Sequence, residues 1–184
     1  MTSENDRQVL LRIARAAIVA HVSAVRSVDS AGTERSVAMV GVAARAGAAF
    51  VSIHRHRELR GCIGHLEADE PLGRVIWDCA VSACSADPRF PPVTVRELPD
   101  LTIELSLLGP LTRITTSEEV TIGQHGLIVE RGHHRGLLLP QVATEWQWDR
   151  ETFLAQTCHK AGLPRDAWKH GALVWRFEAE VFGD

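Results

Sequence analysis

The chain has 184 residues, of which 45% are hydrophobic and 23% charged, with a formal charge of −3. That length suits one compact domain with a substantial core, and the balance of charge argues against disorder, a collagen-like chain or a polyanion binder. The longest apolar-looking span, Ser36 to Ile53, is interrupted by Arg45 and Gly47 and rich in alanine, so no membrane crossing is expected. The N-terminus interleaves arginines with apolar residues rather than forming an export signal. Cysteines at 62, 79, 84 and 158 fit no compact disulfide framework and read as thiols in a reducing compartment.

In chain order, Val9, Leu10, Ile13, Ala14, Ala17, Ile18 and Ala20 recur at helical spacing and predict an amphipathic helix from Asn5 to about Ser23. A polar, turn-rich stretch follows from Val28 to Arg35. VAMVGVA and AAFVSI then predict two strands separated by ARAG. Leu59 to Ile63 reads as a further short strand, where Gly61 and Gly64 permit close backbone approach. Pro71 suits the first turn of a helix through LGRVIWDCAVSACSA, stopped at Asp87-Pro88.

Thr94-x-x-Glu97 has the form of a capping box and predicts a short helix. Leu101 to Leu108 alternates apolar and polar residues as a half-buried strand does. LIVE and RGLLLP, separated by RGHH, predict a hairpin entered through GQHG. A helix is expected from Arg150 to Ala161, ended by Gly162 and Pro164, and the alternating tail from Leu173 to Phe182 predicts a final strand. Strands and helices do not alternate regularly, so the fold class is α+β with mainly antiparallel sheets flanked by helices.

Cys62, in RELRGCIGH, is the first chemical candidate. A thiolate nucleophile needs access and neighbours that stabilise negative charge. Arg60 falls on the same strand face and can supply that charge. A buried thiol serving as a small hydrophobe is the competing reading. Cys62-x-x-His65 has a usable metal spacing, but no second ligand pair completes a framework, and no metal is assigned.

The HRHR cluster at 54–57 reads as a solvated surface, and His133 and His134 as hairpin-turn residues. His125 in GQHG is a candidate proton carrier, with turn positioning as its alternative role. Arg89 in DPRFPP can hold an anion, although an Asp87–Arg89 structural clamp is the simpler interpretation. Cys158 reads as core and Lys160 as solvent-facing. No nucleotide-binding signature occurs, so no cofactor is assigned.

The ordered set LRGCIG, DPRFPP, ELPDLTIELSLL, GQHGLIV, GLLLPQVATEWQWD, TFLAQTCHKAGLP and WRFEAEVF resembles the AMMECR1 family. The likeness is to its prokaryotic branch, the A component of the AmmeMemoRadiSam system. It runs from about Phe50 to Phe182, with a looser N-terminal helix. The resemblance implies one AMMECR1 domain over 1–184, with a larger lobe from both chain ends and a smaller one from a middle segment. It also implies a cytoplasmic protein associated with Memo-like and radical-SAM proteins.

The family's RGCIG element, its usual proposal for a functional patch, falls on Arg60, Gly61, Cys62, Ile63 and Gly64. Its DPRFPP element falls on Asp87 to Pro92 and its HG element on His125 and Gly126. The family pattern favours threonine after CIG, where this chain has His65. The leading expectation is an enzyme or enzyme component whose cleft joins these three elements and modifies a small-molecule or macromolecular substrate. Cys62 would be its nucleophile or covalent carrier and His125 its base. Arg60 or Arg89 would be the anion clamp, with Gly61, Gly64 and Asp87 lining the substrate site. A non-catalytic protein-interaction adaptor is the alternative, a metal-binding enzyme ranks third, and neither nucleic acid nor membrane is expected as a partner.

Overall fold

The structure, a computed structural model, describes residues 2–24 and 40–184. The expected turn-rich stretch from Val28 to Arg35 therefore lies outside the described residues, as does the start of VAMVGVA. The chain forms an α+β fold that divides into two compact units. Unit 1 comprises Met1–Leu107 with Glu180–Asp184, and unit 2 comprises Leu108–Ala179.

Unit 1 starts with helix α1 (Glu4–Ala24). Ser3 and Asp6 cap it reciprocally, since the Asp6 N–H donates to the Ser3 hydroxyl and the Ser3 N–H donates back to the Asp6 carboxylate. Its buried stripe, Leu10, Ile13, Ala14, Ala17 and Ile18, is the one the apolar spacing predicts. Strands β1 (Ala48–Arg55) and β2 (Glu58–His65) pair antiparallel, with Ser52 opposite Cys62 and Phe50 opposite Gly64. Helix α2 (Leu72–Ser85) buries Val75, Ile76, Cys79, Ala80 and Ala83. Strand β3 (Leu101–Leu108) follows. The strand order is β2-β1-β3, with the chain's last strand, β7 (Leu173–Gly183), next to β3. Thus β2 is an edge strand, and Leu10, Ile18, Val51, Ile53, Ile76, Ile103 and Leu105 form part of one core.

In unit 2, β4 (Thr112–Ile114) pairs with β7, and β7 pairs with β5 (His125–Arg131), which pairs with β6 (His134–Leu138), all antiparallel. Helices α3 (Pro140–Glu145) and α4 (Arg150–Lys160) complete it. The Asp149 carboxylate caps α4 by accepting from the Thr152 N–H at 2.8 Å. Leu127, Val129, Phe153, Leu154 and Cys158 share a second core.

Two local expectations are corrected. The described part of VAMVGVA is no strand: Gly41 has φ +60° and Gly41–Ala44 forms a 3₁₀ turn. Thr94 and Glu97 make half of a capping box: the Thr94 N–H donates to the Glu97 carboxylate, but the Thr94 hydroxyl donates to that carboxylate too, while the Glu97 N–H donates to the Thr94 carbonyl, and only a 3₁₀ turn at Leu98–Asp100 follows. Pro99 sits within that turn, and Glu97 is also recruited by Arg60.

The β1–β2 connection has only His56 and Arg57 between the paired residues Arg55 and Glu58. Both take left-handed torsions, with φ +52° and +69°. Two-residue hairpins favour that backbone for its twist, but side chains oppose it. Replacing His56-Arg57 by Asn-Gly is expected to raise stability by about 1–2 kcal/mol in urea unfolding.

Candidate functional site

The candidate residues of unit 1 converge on β2. Among the described residues β2 is an edge strand with β1 on one side only, and Cys62 turns its own N–H and C=O away from β1. Those two groups are satisfied by side chains of the DPRFPP loop. The Cys62 N–H donates to Asp87 Oδ2 at 2.9 Å, and Arg89 Nη2 donates to the Cys62 carbonyl at 3.2 Å. Arg89 also holds Asp87 bidentately, Nε to Oδ1 at 2.9 Å and Nη2 to Oδ2 at 2.7 Å. The Asp87–Arg89 pair thus offers the acceptor and the donor that a neighbouring strand would have supplied.

Asp87 is almost fully buried, its side chain 2% exposed, whereas that of Arg89 is 54% exposed. Hydrogen bonding from Arg89, helped by the Cys62 N–H, holds the Asp87 carboxyl well below the ordinary carboxylate range. Arg89 is raised in turn, chiefly by its hydrogen bond to Asp87, with the neighbouring Cys62 side chain contributing.

Arg60 ties the other end of the loop to β2. It donates to Glu97 Oε1 at 2.8 Å, to the Pro91 carbonyl at 2.8 Å and to the Pro92 carbonyl at 3.2 Å. Arg60 lowers the Glu97 carboxyl to about 2, assisted by Thr94. Arg55 adds ion pairs to Glu97 at 3.7 Å and to Asp100 at 3.4 Å. The cationic cluster therefore neutralises carboxylates of its own unit, and an anion reaching Arg60 has to displace Glu97.

The glycines have packing roles. A Cβ on Gly61 would lie 2.1 Å from the Ala83 carbonyl oxygen of α2, and one on Gly64 would lie 2.2 Å from the Phe50 ring. Cys62 differs from all of these. It is the one cysteine with intermediate exposure, whereas Cys79, Cys84 and Cys158 are buried. Its sulfur accepts from the Ser52 hydroxyl at 3.3 Å, across the β1–β2 pairing. Burial pushes the thiols of Cys79 and Cys84 up to about 11 and raises that of Cys158. Ser52 carries no chemical signature of its own in the sequence; only the strand register brings it to the thiol.

His125 lies in unit 2, at the start of β5. Its Nδ1 accepts from the Thr121 N–H at 2.9 Å, which leaves the neutral ring's proton on Nε2. Burial, then Arg176, lowers its pKa. Protonating this ring costs it the Thr121 bond. The role of a positioned loop histidine is therefore met within its own unit.

His65 falls on the opposite face of β2 from Cys62, as residues three apart on a strand must. It helps line a cleft of about 240 Å³ with Cys79 and Asp78 of α2. A larger cleft of about 570 Å³ is lined by residues including Val22, Cys84 and Val93, and one of about 180 Å³ in unit 2 by residues including Arg113 and Trp168. None of these three is lined by Cys62. No described helix is long and apolar enough to cross a membrane.

With this geometry in place, comparison with known proteins decides the family. The AMMECR1 family model matches residues 11–182. The chain belongs to the AMMECR1 family. A Methanothermobacter thermautotrophicus protein is 40% identical, with 98% of this chain and 95% of the relative covered. A Methanocaldococcus jannaschii protein is 46% identical over 72% of this chain and 71% of its own length. The crystal structure of an uncharacterised Pyrococcus horikoshii protein superposes with a TM-score of 0.83 at 37% identity, covering 95% of this chain and 89% of the other. In this AMMECR1 protein, then, the RGCIG and DPRFPP elements meet at one strand edge in unit 1.

Proposed function

We propose that this AMMECR1 protein is a cytoplasmic enzyme, or enzyme component, in which the Cys62 thiol bonds covalently to an electrophilic group of its substrate. One observation carries the reading. Around Cys62, the candidate residues Arg60, Gly61, Gly64, Asp87 and Arg89 are all engaged in packing or internal bonding, whereas Cys62 is the one partly exposed cysteine, its thiol set beside the Ser52 hydroxyl and the Arg89 guanidinium.

The clamp fixes the backbone on both sides of the sulfur, so the thiol is presented from a rigid strand rather than a mobile loop. In the proposed step the thiolate forms a bond to an electrophilic carbon, the leaving group departs with its electron pair, and the thiol proton passes to solvent. The Cys62 N–H is committed to Asp87 and supplies no oxyanion donor. Memo-like and radical-SAM proteins are the partners this reading inherits from the family resemblance.

Treating the native protein and Cys62→Ser with iodoacetamide near neutral pH, followed by intact-mass analysis, tests the assignment. The native protein is expected to gain one adduct and the variant none, with the variant's stability changed by less than about 1 kcal/mol. Equal labelling of both would remove Cys62 from the role. Charge reversal at Arg60 is unsuitable for testing the adaptor alternative, because it strands Glu97 and releases the loop. Reversal at exposed Arg57 or Arg96 leaves those bonds intact and is the informative variant for partner binding.

A further inference from the structure

We propose that His65, Glu67 and Asp69 form a divalent-cation site beside the cleft between β2 and α2. One ligand atom from each lies within 4.8 Å of the other two. His65 is held as the last residue of β2, paired with Ala49, and its Nε2 already meets Asp69 Oδ1 at 2.9 Å. Strand register therefore fixes one ligand, and the two carboxylates follow it within four residues on exposed positions.

The donor set is one imidazole nitrogen and two carboxylates, a combination suited to zinc or manganese and opposite in charge to a divalent ion. Three protein ligands leave at least one coordination position for water or another molecule. The adjoining cleft of about 240 Å³ supplies space on that side, and it is itself acidic through Glu70 and Asp78. The neighbouring cation, Arg74 of α2, is engaged with those two carboxylates at 3.3 Å and 3.5 Å. The site stands on the opposite face of β2 from the Cys62 thiol, and its occupancy is independent of that thiol's chemistry.

Calorimetric titration of the tag-free protein with zinc chloride, and separately with manganese chloride, tests the proposal. One equivalent of at least one ion is expected to bind. Each of His65→Ala and Asp69→Asn should weaken that binding at least about tenfold, as loss of a ligand does, while His133→Ala and Cys62→Ser leave it unchanged. Circular dichroism confirms that these exposed substitutions leave the fold intact. Absence of stoichiometric binding of either ion, or binding that both ligand variants retain undiminished, overturns the site.

Discussion

Replacing Arg89 by alanine is expected to destabilise the protein by about 3–5 kcal/mol, although more than half of that side chain faces solvent. The reason is its partner. Asp87 stays ionised in a nearly sealed position, 2% exposed, and without Arg89 the donors it retains among the described residues are the backbone N–H groups of Cys62 and residue 89. Water around the exposed guanidinium lowers the contribution of the pair and puts the value toward the bottom of that range.

The pH dependence follows from the depressed Asp87 pKa. In the native protein its stabilisation is fully present above the ordinary carboxyl range and is lost as pH falls through the folded-state value. Without Arg89 the chief cause of depression is gone, and protonation relieves the buried charge at a higher pH. The stability gap between the two proteins should therefore narrow below about pH 4. Urea unfolding at neutral and acidic pH measures it. A loss under about 0.5 kcal/mol, as for an ordinary surface arginine, would contradict the edge-clamp account.

Gly61→Ala is the second large effect, expected at about 3 kcal/mol or more. The added methyl would sit 2.1 Å from the Ala83 carbonyl oxygen and 3.1 Å from its carbonyl carbon. Both belong to the backbone of α2, so no rotamer change relieves the clash and helix and strand have to separate. Gly64→Ala meets the ring of Phe50 instead, which is only half-buried and can turn; about 1–2 kcal/mol is expected there. Thermal or urea unfolding of the two variants should rank them in that order, and equal tolerance would show that α2 does not press on β2 at Gly61.

Patterns of local origin were legible in the sequence. The stripe of α1, the face of α2, the alternation of β3 and β7, and the β5–β6 hairpin all follow from period and turn chemistry. Thr112–Ile114 and Pro140–Glu145 are too short for periodicity to register, and VAMVGVA misleads in its described part because Val42 and Ala43 fall in a 3₁₀ turn that opens on left-handed Gly41. At the site, the Asp87–Arg89 clamp was readable from an acid and a base two residues apart in a proline-stiffened loop. Its service to the Cys62 backbone was not, because that depends on β2 lying at a sheet edge, a long-range property. The same holds for Glu97, whose capping-box pattern conceals its bond to Arg60, and for Ser52, which only register places against the sulfur.

The central claim is that Cys62 alone among the four cysteines is a presented, reactive thiol. Time-resolved alkylation of the native protein near neutral pH, read by peptide mass mapping of all four cysteines, tests it most directly. Thiols held at about 11, as Cys79 and Cys84 are, carry on the order of one part in ten thousand of thiolate at neutral pH, and Cys158 is fully enclosed. Cys62 is therefore expected to be modified first and to completion while the other three remain unmodified. Four thiols that are equally inert until the protein unfolds would contradict the account.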